Sequence, residues 1–300
     1  MSRLTFALMG ALFLFTTPVW AEEAGELPHS EAPPAAEEVT EPASPPAPVA
    51  DEVNTVQLRP YQAIYKVALG GSLENSRMQA VEGRYYAGLT MTCAGNATTS
   101  RMLTTVTDKE GNKSNITTET SAWESRDGLS LRFTVNSRQD GRILSELKGV
   151  ARLDDIGGAG SASIQQGEDA PRQVQIPAGT MFPAAFSLAL TRAAVRGVSK
   201  TEATVFDGAD AEAGLARMSI NIAVPQSIAS EVVRAARIEP DKAWPVTVLT
   251  QRPGVSPHPE SGRLVLLANG IIETMQTQIG SATLDMTLES LEVQPVPVCR

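Results

Sequence analysis

Residues 61–69 read YQAIYKVAL, and this stretch decides the fold class. Every second residue is apolar or aromatic: Tyr61, Ala63, Tyr65, Val67 and Leu69. Successive side chains of an extended chain point to opposite faces, so these five share one face. The stretch therefore predicts a strand with one face in a core.

Similar stretches follow on both sides of the middle of the chain. Before residue 155 they are AVEGRYYAGLTM, SRMLTTVTD, SNITTETSAW, LSLRFTVNSR and GRILSELKGVARL; after residue 200 they are TEATVF, LARMSINIAV, AWPVTVLTQRP, RLVLLANGIIETMQTQIG and ATLDMTLESLEV. Turn signals separate them: residues 109–112 (KEGN), Asp127-Gly128 and Asp140-Gly141, with Asn269-Gly270 predicting a type I′ hairpin. Strands joined by such short turns predict an antiparallel meander in a mainly β protein.

One central segment, residues 176–197 (IPAGTMFPAAFSLALTRAAVRG), predicts a helix instead. Thr180 is its predicted N-cap, Pro183 lies in the first turn and Gly197 is the predicted C-cap. One helical face carries Phe182, Phe186, Ala189, Leu190 and Ala193. This face lines a cleft or completes the core, and the sequence leaves both open. Residues 227–239 fit either a short helix or an irregular connection.

The chain begins with residues 1–21, which have the pattern of a secretory signal peptide. Arg3 precedes an apolar run, and Val19 and Ala21 occupy the small-residue positions of a cleavage site. The run is too short to span a bilayer, although an uncleaved anchor is the alternative. We therefore predict export to the periplasm, with no transmembrane segment in the mature chain.

Residues 22–55 form a second segment of unusual composition. They contain nine acidic side chains, seven prolines and no Lys or Arg. Such a composition predicts a disordered acidic arm, which serves as a spacer or binds a basic partner. The net charge is −9 for the whole chain and close to neutral for residues 56–300. That remainder, predicted to be one β-domain, has no basic stripe for nucleic acid.

The two cysteines, Cys93 and Cys299, lie 206 positions apart. In an oxidising compartment two cysteines pair, so we predict a structural disulfide between them. The alternative is a redox-active pair, but the chain has no CxxC spacing.

Catalytic and metal-binding groups are sparse. The histidines are His29, in the acidic arm, and His258, between two prolines; no Ser has a GxSxG setting. Asp154 and Asp155 are adjacent and would point to opposite faces of a strand, and Asp207 has the setting of a turn former. Trp123 is a stacking platform or, more commonly, a core residue. We therefore predict no enzyme activity, no metal and no cofactor; a carboxylate-dependent hydrolase is the least favoured alternative.

Several motifs, in this order and spacing, resemble the EipB family of alphaproteobacterial periplasmic cell-envelope-integrity proteins, formerly a domain of unknown function. The motifs are LRPYQAIYKVAL (58–69), VEGRYYAGLTMTCAGN (81–96), SAWESRDG (121–128), IPAGTMFP (176–183), VFDG (205–208), AWPVTV (243–248) and SLEVQPVPVC (290–299). The resemblance implies a large antiparallel β-spiral or half-open barrel with few helices, similar to lipoprotein carriers of the LolA and LolB type. It also implies a disulfide between Cys93 and Cys299.

Two functions are compatible with these features. The first is a non-enzymatic envelope-integrity protein that binds a lipid-like or lipidated ligand in an apolar cleft. The second is an envelope scaffold that binds another periplasmic protein through its sheet surface.

Overall fold

A computed structural model describes residues 56–72, 76–209, 214–237, 241–253, 259–279 and 282–299. The predicted signal peptide, the predicted acidic arm and His258 lie outside these residues. The first eight strands are β1 (Tyr61–Ser72), β2 (Met78–Met91), β3 (Gly95–Asp108), β4 (Lys113–Ser125), β5 (Ser130–Gln139), β6 (Arg142–Leu153), β7 (Gly160–Gln166) and β8 (Arg172–Ile176). The next seven are β9 (Thr180–Met181), β10 (Lys200–Phe206), β11 (Leu215–Ile222), β12 (Ala243–Gln251), β13 (Glu260–Leu267), β14 (Ile272–Ile279) and β15 (Ala282–Val293). The helices are α1 (Pro183–Val195) and α2 (Glu231–Ala235).

All of these strands belong to one sheet, in the order β8-β7-β6-β5-β4-β3-β2-β1-β15-β14-β13-β12-β11-β10-β9. Neighbours are antiparallel except β9 and β10, which are parallel. The two edge strands, β8 and β9, are consecutive in the chain and are joined by residues 177–179 alone. Such a link spans at most about 14 Å. The sheet must therefore curl until its edges approach, which gives the predicted half-open barrel.

The two faces of the curled sheet differ in burial. We call the face that carries the core the inner face and the opposite one the outer face. The alternation predicted for β1 is confirmed: Tyr61, Ala63, Tyr65 and Val67 are buried on the inner face, and Leu69 is half-buried. In β5 the inner face carries Leu131, Phe133 and Val135, while the intervening residues are exposed. One face per strand thus supplies a continuous core.

Helix α1 lies against this core and is buried on most of its sides. The predicted helix is confirmed, but Thr180 is not its N-cap: Thr180 belongs to β9, and its hydroxyl donates to the carbonyl of Pro177 at 2.7 Å. The N-cap is Phe182, whose side chain makes no capping bond. Gly197 ends the helix as predicted, one position beyond the C-cap Arg196, with φ +74°. The amides of Gly197 and Val198 bond back to the last turn, which is the Schellman arrangement.

The hairpin predicted at Asn269-Gly270 exists and joins β13 to β14, but its turn is not of type I′. Only Gly270 has a positive φ (+83°), whereas type I′ requires one at both positions. The amide of Leu267 bonds to the carbonyl of Ile271, so the loop has three residues and ends in a glycine bulge. The side-chain oxygen of Asn269 accepts a hydrogen bond from the amide of Ile271, and this bond favours the three-residue loop over a two-residue turn. Asp140-Gly141, with φ values of +50° and +81°, is the pair with type I′ signs.

The predicted disulfide is confirmed between Cys93 and Cys299, with a Cα–Cα distance of 5.5 Å. Cys93 lies in the turn between β2 and β3, and Cys299 lies in the tail that follows β15. Both β2 and β15 pair with β1, and they meet it at Tyr61, opposite Leu89 and Val293. The bond therefore joins the two neighbours of β1 across the beginning of that strand.

Candidate functional site: the packed interior and the outer cleft

The residues predicted to line a cleft lie in the packed interior of the barrel. Phe182, Phe186, Leu190 and Ala193 are buried in the main core, and Ala189 is half-buried. Phe182 packs edge-to-face against Phe206 at 6.3 Å between ring centroids. A void beside the first turns of α1, bordered by Ala184 and Ser187, has only about 10 Å³. Helix α1 thus occupies the place that a ligand inside the barrel would need.

The N-terminus of α1 is anchored by a carboxylate from the sheet. Glu124, on the inner face of β4, accepts the amides of Ala184 at 2.7 Å and Ala185 at 2.9 Å. These amides have no partner within a helix, and the positive end of the helix dipole favours a negative group there. Burial raises the pKa of Glu124 to about 7, and the two amide bonds offset this only in part. The anchor therefore combines a capping role with a carboxyl group whose ionisation is costly in this buried position.

This anchor predicts a pH dependence of stability for the protein. Glu124 holds its proton up to about pH 7 in the folded chain, against a pKa of 4.5 for the exposed group. The contribution of protonated Glu124 to the free energy of unfolding is therefore complete below pH 4.5, and it is lost as the pH rises through 7. Between pH 4.5 and 7 the free energy of unfolding should fall by on the order of 1 kcal/mol per pH unit because of this group, and we expect Glu124→Gln to remove that part of the slope. Urea unfolding at pH 5.5 and 7.5 measures it; parallel pH profiles for both proteins would contradict it.

Helix α2 has an equivalent anchor. Glu273, buried on β14, accepts the amide of Ser230 at 2.5 Å, and Ser230 is the N-cap of α2. The hydroxyl of Ser230 in turn accepts the amide of Val233, a fully buried residue. The segment that the sequence left ambiguous thus contains a short helix, and a glutamate on the sheet binds the amide of its N-cap residue.

A buried ion pair lies where strands β10 and β12 end. Arg252, just after β12, donates to both carboxylate oxygens of Asp207 at 2.6 and 3.2 Å, and both side chains are at most 1% exposed. Gly208 follows with φ +65°, and a Cβ there would lie 2.3 Å from the ring of Phe133, so the turn requires glycine. Glu260 is nearby: burial and Asp207 raise its pKa to about 7, while Arg252 lowers it. Asp207 is thus an ion-pair partner as well as the predicted turn former.

The outer face carries a cleft of about 570 Å³ that crosses strands β3 to β7. Two rows of cross-strand neighbours form its floor. The rows are Trp123–Arg132–Val150–Ser163 and Thr99–Ser121–Thr134–Lys148–Gln165. The guanidinium of Arg132 lies 5.7 Å from the ring centroid of Trp123, a cation–π geometry. Two cations, several hydroxyls and no carboxylate line this cleft.

A second depression, of about 520 Å³, lies beside the first and shares Thr99 with it. It extends over the first residues of β1, where Gln62 and Ile64 border it, and over β2, where Tyr86 does. Its charges are mixed: Arg101 is paired with Glu119 at 2.9 Å, and a second carboxylate, that of Glu292 on β15, also borders it. Together the two depressions form a channel on the outer face, from β15 and β1 to β7, in which charged and hydroxyl side chains stand among a mainly apolar exposed lining.

Several residues considered from the sequence fall at places that the sequence did not indicate. Trp123 is half-buried on the outer face, so the interpretation as a core residue is wrong. Asp154 and Asp155 lie exposed in the turn after β6. Glu124 and Arg252 were not predicted at all; a glutamate on a strand at an otherwise buried position was the available signal for the first.

Within the described ranges, no three His, Cys, Asp or Glu side chains are grouped so as to hold a metal ion. Nor does the same part of the chain contain a helix with the length and apolarity needed to cross a membrane.

A nearly closed antiparallel sheet with a helix packed inside it defines a β-barrel-like protein. Comparison with solved structures agrees: a β-barrel-like protein of a domain of unknown function from Brucella abortus superposes with a TM-score of 0.72 at 23% identity, covering 80% of this chain and all of that one. The chain belongs to the EipB-like family, whose sequence model matches residues 52–295. A curated relative, the cell envelope integrity protein EipB of Brucella abortus (strain 2308), is 24% identical over 201 residues, which are 66% of this chain and 70% of the relative.

Proposed function

We propose that this protein is a non-enzymatic binding protein that supports the integrity of the cell envelope from the periplasm, and that it holds a partner on the outer face of its curled sheet. The envelope role follows from the name of the curated relative and from family membership. The periplasmic location rests on the signal-peptide pattern of residues 1–21.

One observation supports the outer face as the binding surface. Two adjacent depressions on the outer face have about 570 and 520 Å³, whereas the void beside α1, among the described residues, has about 10 Å³. A cavity of the latter size is at most large enough for one water molecule. The outer cleft also offers an aromatic ring, hydroxyls and two cations, which can specify a partner.

Complementation of a strain that lacks the gene tests this proposal. Arg132→Glu/Lys148→Glu reverses both cations of the cleft without touching the core, so we expect native stability but loss of resistance to detergents and wall-active antibiotics. The matched control is Lys200→Glu/Arg217→Glu, two exposed cations on β10 and β11. Full complementation by the cleft variant would refute the outer face as the functional surface.

A lipid-like ligand inside the barrel is the second candidate, and one feature favours it. The inner face and α1 together present a large apolar surface that a lipid would match. Helix α1 would have to leave the barrel first, which breaks the Glu124 anchor. Native mass spectrometry of gently purified protein tests it: a lipid mass released on denaturation supports this candidate, and a bare chain contradicts it.

A further inference from the structure

We propose that the acidic, proline-rich segment of residues 22–55 docks in the outer cleft of its own chain, with its carboxylates facing Arg132 and Lys148. This goes beyond the proposed function, because it names what covers the cleft when no partner is bound. It stands whether or not the cleft also receives a partner.

Charge is the first argument. The cleft contributes two exposed cations and no carboxylate, and Arg132 and Lys148 are placed on neighbouring strands of its floor. The segment contributes nine carboxylates and no cation. The domain as a whole is close to neutral, so this cleft is a local electropositive site rather than part of a basic surface. Complementary charges of this kind select a partner and speed its encounter.

The second argument is shape and composition. Residues 33–48 (PPAAEEVTEPASPPAP) contain six of the seven prolines, a density that favours the polyproline II conformation. Such segments bind in grooves that present an aromatic ring and hydrogen-bond donors, because the peptide is already extended and its carbonyls are free. Trp123 supplies the ring, and the exposed hydroxyls of Thr99, Ser121 and Thr134 line the same groove. A glycan would also fit hydroxyls and a ring, but no feature of this chain supplies one.

Reach is the third argument. The 34 residues span up to about 105 Å in a polyproline II conformation. A domain of this size has a radius of gyration of about 18 Å. The segment ends next to Val56, and the second depression begins at Gln62, so the channel starts within a few residues of the tether. A tethered peptide of this length has an effective concentration in the millimolar range, so weak contacts suffice for docking.

Paramagnetic relaxation NMR on the processed full-length protein tests the proposal. A nitroxide label is attached at Ser44→Cys; the native cysteines are oxidised to a disulfide and do not react. We expect the amide signals of residues 121–123, 132–134 and 148–150 to lose most of their intensity relative to a diamagnetic label. The loss should disappear in Arg132→Glu/Lys148→Glu, persist in Lys200→Glu/Arg217→Glu, and disappear at about 1 M salt, where the Debye length is about 3 Å.

Three outcomes would overturn the proposal. One is broadening spread evenly over the surface or unchanged by the cleft variant. Another is broadening of the cleft signals of unlabelled, isotope-enriched chains when nitroxide-labelled chains are mixed with them. That result would show that the cleft is occupied by the segment of a second copy. The third is an unaffected cleft whose amides instead shift when soluble polyglucuronate is added, which would make the site one for anionic glycans.

Discussion

Arg252→Met is expected to lower the free energy of unfolding by about 3–5 kcal/mol, because it leaves a carboxylate buried without its counter-charge. Asp207 is fully buried, and its remaining bonded donor in the structure is the amide of Ala209 at 2.8 Å. Glu260 loses the same cation, which now helps to keep its pKa from rising further. For a domain of this size the loss corresponds to a fall in Tm on the order of 10 °C.

The charge and not the volume of Arg252 should account for this loss. The double variant Asp207→Asn/Arg252→Met removes both charges and should recover part of the stability, because a buried pair replaced as a unit costs far less than a broken one. Chemical unfolding of the single and the double variant measures both losses. A single variant that loses less than about 1 kcal/mol would show that the pair contributes little.

Cys299→Ser is the second large effect that we expect. The disulfide closes a loop of 206 residues, and the chain-entropy relation gives about 5 kcal/mol for a loop of that length. Measured values are commonly smaller, so we expect Tm to fall by about 5–10 °C. The loss should be shared by Cys93→Ser and by the wild-type chain after reduction.

The fold itself should survive removal of the bond. Cys299 belongs to the tail beyond β15, whereas β15 keeps its eleven register pairs with β1. Circular dichroism of Cys299→Ser should therefore match that of the oxidised protein, with calorimetry recording the loss of stability. Equal Tm values for the oxidised and reduced proteins would eliminate the role of the bond as a structural link.

How much of this could be predicted from the sequence depended on how local each feature is. The alternation of Tyr61 to Val67 and the end of α1 at Gly197 are encoded in neighbouring residues, and both are confirmed. Which face of β4 is buried is not encoded in neighbouring residues. Trp123 lies on the outer face and Glu124 on the inner face, because pairing with β3 and β5 decides which face is buried. That same register brings Glu124 to the N-terminus of α1, sixty residues later in the chain.

The partners of the buried charges were also beyond the reach of local patterns. Asp207 and Arg252 are separated by 45 residues that include two strands, β11 and β12, and each alone resembles an ordinary polar residue of a turn. The turn at Asn269 shows a smaller limit: the dipeptide predicted the hairpin, but a side-chain bond to Ile271 selected a longer loop. The disulfide was predictable because a chain with two cysteines allows one pairing.

The position of β1 in the sheet has a consequence for the order in which the protein folds. One neighbour of β1, β2, follows it directly, whereas the other, β15, is the last of the described strands in the chain. From the synthesis of Tyr61 until that of Val293, β1 therefore has an unpaired edge, and unpaired strand edges promote aggregation. Closing this pair joins segments more than 200 residues apart, which makes it a slow step. This pairing also brings Cys93 next to Cys299, so we expect oxidation of the pair to follow it and to be one of the late steps of folding.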